Sequence, residues 1–154
     1  MTPLRRLDHV ALVVRDTDEA LRFYRDRLGL RVASSEELPG QQVRLTHLDA
    51  GNAYIQLVEP LQLDSPLQTW LDEHGEGLHH LCFGVDDVEA AISDLNDDGN
   101  PVALGSGRGR VSGFVTTAGS HGVSIECTEF VKTDDVDATP GWLDGRGQAD
   151  FANR

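Results

Sequence analysis

Hydrophobic and polar positions change period several times along the chain, and each change marks an element. From Leu7 to Val14 β-forming residues dominate, with one histidine among apolar neighbours, which predicts a mostly buried strand. From Asp16 the period becomes helical: Asp16 or Thr17 can cap a helix, Ala20, Leu21, Phe23, Tyr24 and Leu28 form its apolar stripe, and Gly29 ends it. Three strands are expected next, Leu30 to Ser35, Val43 to Leu48 and Ala53 to Glu59. Leu38-Pro39-Gly40 separates the first two and Asp49-Ala50-Gly51-Asn52 the last two. In the third, alternation puts Tyr54, Gln56 and Val58 on one face.

Residues 60–76 read as a linker carrying a short helix, Ser65 to His74, with Ser65 as cap, Pro66 in the first turn and Gly75 at the end. The plan then repeats: a strand from Leu78 to Val85, a helix from Asp87 to Asn96 closed by Gly99, and strands Val102 to Leu104, Arg110 to Thr116 and Val123 to Thr128. Gly105-Ser106-Gly107-Arg108-Gly109 is expected to be the most flexible internal loop. Residues 131–154 read as an irregular tail, with Trp142 and Phe151 available to dock on the body or on a second subunit.

The two halves are in register. His80 follows His9 by 71 positions, Asp87 follows Asp16 by 71, and Ala91 follows Ala20 by 71. Gln56 and Glu126, each a polar residue in an otherwise apolar strand, are 70 apart. An unpaired polar group is costly in such a strand. Four of them at matching places call for one explanation, and a shared metal ion supplies it.

Composition narrows the partners. Of 154 residues 39% are hydrophobic and 25% charged, and no apolar run approaches the roughly 20 residues of a membrane span. With no signal-peptide pattern at the N-terminus, a cytoplasmic protein is expected. The formal charge of −13 argues against nucleic acid and anionic membrane as partners. Lys132 is the only lysine, so an anionic substrate must be held by arginine, backbone amides or metal. Cys82 and Cys127 read as small buried residues rather than a disulfide framework.

Two β-α-β-β-β halves, each with a histidine on its first strand and an oxygen-bearing residue on its last, resemble the vicinal oxygen chelate (glyoxalase/bleomycin-resistance) superfamily over about residues 7–128. The resemblance implies an α+β fold in which two tandem βαβββ modules form a curved mixed sheet around a metal site. It divides the chain into one domain, 1–130, with module one at 7–59, a linker at 60–76 and module two at 77–130. The implied ligands are His9, Gln56, His80 and Glu126. Two imidazoles with two oxygens suit Co(II), Mn(II), Ni(II), Fe(II) or Zn(II). Register favours His80, which shares a face with Cys82, and turns His79 away.

Asp8-His9-Val10-Ala11, Gln56-Leu57-Val58-Glu59-Pro60-Leu61 followed by Asp64-Ser65-Pro66, Gly75-Glu76-Gly77-Leu78-His79-His80, and Gly122-Val123-Ser124-Ile125-Glu126 resemble the methylmalonyl-CoA epimerases in particular. That resemblance implies inversion of the carbon between a thioester and a carboxylate through an enolate, by a cytoplasmic homodimer, with Glu126 as one base. Leu45 stands where some epimerases carry a second glutamate, with Thr46 and His47 beside it. Thr116-Thr117-Ala118-Gly119-Ser120-His121 replaces the family's His-Pro-Lys. Arg108 and Arg110 are candidates for holding a phosphate or carboxylate of the substrate, while His74 and His121 read as surface residues. A glyoxalase-type lyase or isomerase acting on a thiol adduct, and a non-catalytic protein sequestering a small molecule, are the alternatives.

Overall fold

Eleven elements follow one another in the computed structural model, which describes residues 2–96, 102–115 and 119–132. They are β1 (Leu4–Val13), α1 (Thr17–Tyr24), β2 (Arg31–Leu38), β3 (Val43–Asp49), β4 (Tyr54–Pro60), α2 (Pro66–His74), β5 (Gly77–Val85), α3 (Val88–Leu95), β6 (Leu104–Gly107), β7 (Arg110–Val115) and β8 (Ser124–Glu129). The expected helix stop at Gly99, the strand end at Thr116, and Trp142 and Phe151 lie outside the described residues.

The helix starts follow from side-chain capping. Asp16 accepts from the Glu19 amide at 2.9 Å, Asp87 from the Ala90 amide at 2.9 Å, and Ser65 from the Gln68 amide at 3.1 Å. Helix α1 ends at Tyr24 instead of running to Gly29. Its exit is made of wider turns, with Leu28 N–H bonded to the Phe23 carbonyl and Leu30 N–H to that of Tyr24, before Gly29 at φ 84° turns the chain into β2. Consequently Phe23 and Leu28 face solvent, and only Leu21 of the expected stripe is fully buried.

All eight strands form one curled mixed sheet, ordered β2-β3-β4-β1-β5-β8-β7-β6. Within each half the first strand pairs parallel with the last, β1 with β4 and β5 with β8, and the halves join through the antiparallel pair β1–β5. That central pair sets His9 opposite Cys82 and Ala11 opposite His80. Shifting each residue by the repeat exchanges the two pairs, so a pseudo-twofold axis passes between them.

The apolar alternation covers the outer face. Helix α1 packs over module one through Leu21 against Leu48 and Leu57, and α3 over module two through Val88, Ala91 and Ile92 against Val85 and Cys127. Each fully buried leucine here contributes about 2 kcal/mol. Inside the curl, α2 sets Leu71, Leu67 and Trp70 against Val13, Val43, Leu45 and Val58, filling one end of the concavity.

The glycine-rich segment is not a flexible loop. It forms β6 and a two-residue hairpin turn into β7, with Arg108 at φ 55° and Gly109 at φ 68°, both in the left-handed region that a tight primed hairpin turn requires. Gly107 has its own reason: a Cβ there would lie 3.3 Å from Leu45 Cδ1. This tip draws the two sheet ends together. Gln41 Nε2 donates to the Ser106 carbonyl at 2.6 Å, and the Arg108 amide donates to Glu36.

Candidate functional site

Each oxygen-bearing candidate stands opposite the residue two places after its histidine: Gln56 opposite Ala11, and Glu126 opposite Cys82. In a parallel pair that register puts histidine and oxygen donor on the same face. The central antiparallel pair then brings the two sets to one point. His9 Nε2 lies 3.3 Å from His80 Nε2 and 3.3 Å from Glu126 Oε2, and His80 Nε2 lies 3.0 Å from the same carboxylate oxygen. Donor atoms of His9, His80 and Glu126 all lie within 4.8 Å of one another.

These groups line a pocket of about 210 Å³. Its wall is apolar at Val43, Leu45, Val58, Leu67 and Phe114, and polar at Gln41, His47, Gln56, Ser112 and Thr128. A larger recess, about 410 Å³, lies on the outer face of module two, but no titratable side chain lines it. The smaller pocket, by contrast, is lined by four histidines and Glu126.

Three of the candidate ligands are held by partners whose role the sequence reading did not identify. Asp8, 1% exposed, accepts from His9 Nδ1–H at 2.7 Å, leaving the Nε2 lone pair for the site. His79 Nδ1 lies 2.8 Å from His80 Nδ1 and plays the same part in module two. It was expected to face away, yet it lines the pocket, because β5 has a bulge there: Leu78 pairs with Leu12 and His80 with Ala11, leaving residue 79 unpaired. Asp8 sits at the corresponding irregularity of β1, between the pairs Leu7–Phe83 and His9–Cys82. The third partner is His47, fully buried, whose Nε2 lies 3.0 Å from Gln56 Nε2. Because an amide nitrogen can only donate, this contact leaves Oε1 as the atom that Gln56 could offer to an ion.

Arg108 lines the pocket, but its guanidinium is ion-paired with Asp8 and lies 5.2 Å from the centre of the Tyr54 ring. Arg110 faces Asp8 at 3.9 Å and is not among the pocket-lining residues. Both guanidinium groups, the two candidates for holding a substrate anion, are thus drawn toward the Asp8 carboxylate. His74 and His121 are exposed, as expected, and Cys82 and Cys127 are fully buried. Burial, with nearby carboxylates, raises the Cys82 thiol far above its ordinary range, so it remains a packing residue.

The electrostatics follow from burial and pairing. Burial alone would raise Glu126, but its hydrogen bonds to His80 and His9, and their charges, hold it well below the usual carboxylate range. Burial opposes protonation of His9, yet the hydrogen bonds to Asp8 and Glu126 raise its pKa above the ordinary 6.5. His47 is pushed down to about 3, first by burial and then by the charges of Arg108 and His9. His79 is pushed down to about 4, first by burial and then by the charge of His80. Both remain neutral near pH 7.

A buried carboxylate facing two imidazole nitrogens, each imidazole tied back through Nδ1, fits a borderline divalent cation. The curled sheet of paired βαβββ modules around that cluster defines a vicinal-oxygen-chelate-type fold. The chain belongs to the Glyoxalase/Bleomycin resistance protein/Dioxygenase superfamily, which residues 8–117 match.

Among individual relatives, it is 41% identical over 93 residues to the mitochondrial methylmalonyl-CoA epimerase of Mus musculus, a match covering 60% of this chain and 52% of that one. Thus the chain spans about half the length of that relative. It is 35% identical over 121 residues to the ethylmalonyl-CoA/methylmalonyl-CoA epimerase of Cereibacter sphaeroides, covering 78% and 84%. Among solved structures, it superposes with a TM-score of 0.74 and 34% identity on the Streptomyces coelicolor methylmalonyl-CoA epimerase in complex with 2-nitronate-propionyl-CoA, covering 82% of this chain and 98% of that one.

Proposed function

We propose that this protein is a divalent-metal-dependent epimerase that inverts the α-carbon of methylmalonyl-CoA or a related 2-substituted acyl thioester. The observation carrying the proposal is the convergence of His9 Nε2, His80 Nε2 and Glu126 Oε2 in one buried pocket, in a chain whose relatives include proteins named as epimerases of such thioesters. His9, His80, Glu126 and Gln56 through Oε1 are the residues that would hold the ion. When bound, a dication supplies Lewis-acid stabilisation for negative charge on the thioester carbonyl oxygen.

Glu126 is the base. Its carboxylate is deprotonated at neutral pH, the state in which it can accept the α-proton as the C–H bond breaks and the electron pair moves toward the carbonyl. Returning a proton to the opposite face completes inversion. The apolar side of the pocket, Leu45, Val43 and Val58, suits the 2-alkyl substituent, and Ser112 offers a hydroxyl donor to the free carboxylate. Arg108 contributes through its pairing with Asp8 and its place in the pocket wall. Arg110, ion-paired with Asp8 beside the pocket, remains a candidate for the more distant anionic part of the substrate.

A cytoplasmic homodimer is part of the same proposal, and light scattering on the purified protein tests the dimer. Among the described residues, no helix is long and apolar enough to cross a membrane. The activity is tested by solvent deuterium exchange at the α-carbon of methylmalonyl-CoA with Co(II) or Mn(II) added. Exchange is expected, and Glu126→Gln should abolish it while reducing metal affinity less completely. Absence of exchange in the unsubstituted protein removes the epimerase reading, and equal loss of both properties reduces Glu126 to a ligand.

A further inference from the structure

A glutamine ligand poses a problem that a glutamate ligand does not. A carboxylate presents an oxygen whichever way it turns, whereas a carboxamide presents an oxygen in one orientation and an N–H in the other. An N–H directed at a cation cannot ligate it. The two modules answer this difference at equivalent places. Across the antiparallel pair β7–β8, Glu126 faces Phe114, which offers no hydrogen bond; across β3–β4, Gln56 faces His47.

We infer that His47 is a positioning residue for Gln56: its Nε2 accepts the side-chain N–H of Gln56, and this bond fixes the carboxamide so that Oε1 is the ligand atom. The inference rests on the metal reading above and deepens it. The Nε2–Nε2 distance is 3.0 Å and both side chains are buried. The ring is set from its other side as well: Nδ1 lies 3.4 Å from Ser34 Oγ, and the ring meets those of His9 and Tyr54 edge-on at centroid distances of 5.4 and 5.9 Å. A neutral imidazole carries one proton. With that proton on Nδ1, toward Ser34, Nε2 accepts and the amide nitrogen is committed. With it on Nε2, two donors would face each other, so the amide would flip and give its oxygen to His47 instead. Ring tautomer and ligand atom are therefore coupled.

This arrangement also distinguishes His47 from a fifth ligand, because the lone pair that would ligate is occupied by Gln56.

Two measurements decide the matter. In metal-free protein labelled with 15N in its histidines, the His47 ring, assigned by its loss in His47→Gln, is expected as the Nδ1–H tautomer. An Nε2–H ring overturns the inference whether or not metal binds. In Co(II) titrations followed by calorimetry, His47→Phe should weaken binding about tenfold or more, and His47→Gln, which keeps an acceptor oxygen, should restore most of it. In a Gln56→Ala background the same His47→Phe change should add less than about twofold, because the residue acts through Gln56. Unchanged affinity in His47→Phe, or equal losses in both backgrounds, overturns the inference. If His47→Phe does not fold, His47→Gln decides: affinity as weak as that of Gln56→Ala overturns it. Failure of the unsubstituted protein to bind Co(II) would instead remove the metal reading, leaving the tautomer to report on the hydrogen bond alone.

Discussion

Asp8→Asn tests how the site is held together. Asp8 is 1% exposed and serves three partners at once: it accepts from His9 Nδ1–H at 2.7 Å, is ion-paired with Arg108, whose side chain is 12% exposed, and faces Arg110 at 3.9 Å. Asparagine keeps the shape and an acceptor oxygen for His9 but removes the charge, leaving the Arg108 guanidinium largely buried without its carboxylate. Breaking a buried pair from one side costs about 3–5 kcal/mol. Because the acceptor oxygen survives, the lower end applies, about 3 kcal/mol. For a domain of this size that corresponds to a Tm lower by roughly 6–12 °C. Metal affinity should fall as well, by about 10- to 100-fold, since a carboxylate behind a histidine raises its basicity as a ligand. Thermal unfolding in EDTA and Co(II) titration of the same preparation measure the two effects separately. Asp8→Asn combined with Arg108→Gln should recover more than half of the lost stability, because the orphaned charge is then gone as well. The half-exposed pair of Arg5 and Asp86 serves as control: Asp86→Asn should leave Tm unchanged. A Tm within 2 °C of the parent, with unchanged Co(II) affinity, refutes the argument.

Gly113→Ala should cost about 1–3 kcal/mol, because the new Cβ would lie 2.7 Å from Ile92 Cδ1 and 2.9 Å from the Ala103 carbonyl oxygen, and the latter is backbone that cannot step aside; an unchanged Tm would contradict that close approach. Metal-free protein should be most stable near pH 6.5. Below that value the unfolded chain protonates His47 while the folded one, held to about 3, does not, costing about 1.4 kcal/mol per pH unit, with a smaller loss from the less buried His79; above it the stability contributed by the raised pKa of His9 is lost as pH rises through the folded value. Thermal unfolding across about pH 5–8 in EDTA checks this, and a monotonic profile is the contrary result. With Leu45 lining the pocket where a second carboxylate would stand, and the His47 lone pair engaged by Gln56, solvent deuterium should enter the α-carbon faster than the carbon inverts; equal rates measured by NMR and chiral analysis would show an efficient proton donor on the opposite face.

The repeat made much of the fold legible because one constraint acts twice. Asp16 and Asp87 cap helices, His9 and His80 take symmetric places on the central strand pair, and Gln56 and Glu126 stand two residues beyond them on the parallel partners. What stayed hidden depends on geometry that strict alternation does not express. Composition alone reads Gly105 to Gly109 as a loop. Yet those glycines serve a turn with positive φ at Arg108 and Gly109 and the approach of Gly107 to Leu45, a contact between residues distant in sequence. His47 was readable in principle, since a hairpin turning at Gly51-Asn52 sets it opposite Gln56, but which cross-strand pair carries a functional hydrogen bond emerges only from burial. The rule of two failed most instructively at His79. Alternation turns that residue away from the face of His80, and the bulge in β5 turns it back. The repeat held the correction, for His79 lies as far from Asp8 as His80 lies from His9. Each module thus places, just before its histidine, the residue that fixes that ring through Nδ1, and the strand irregularity allows two consecutive side chains to reach one site.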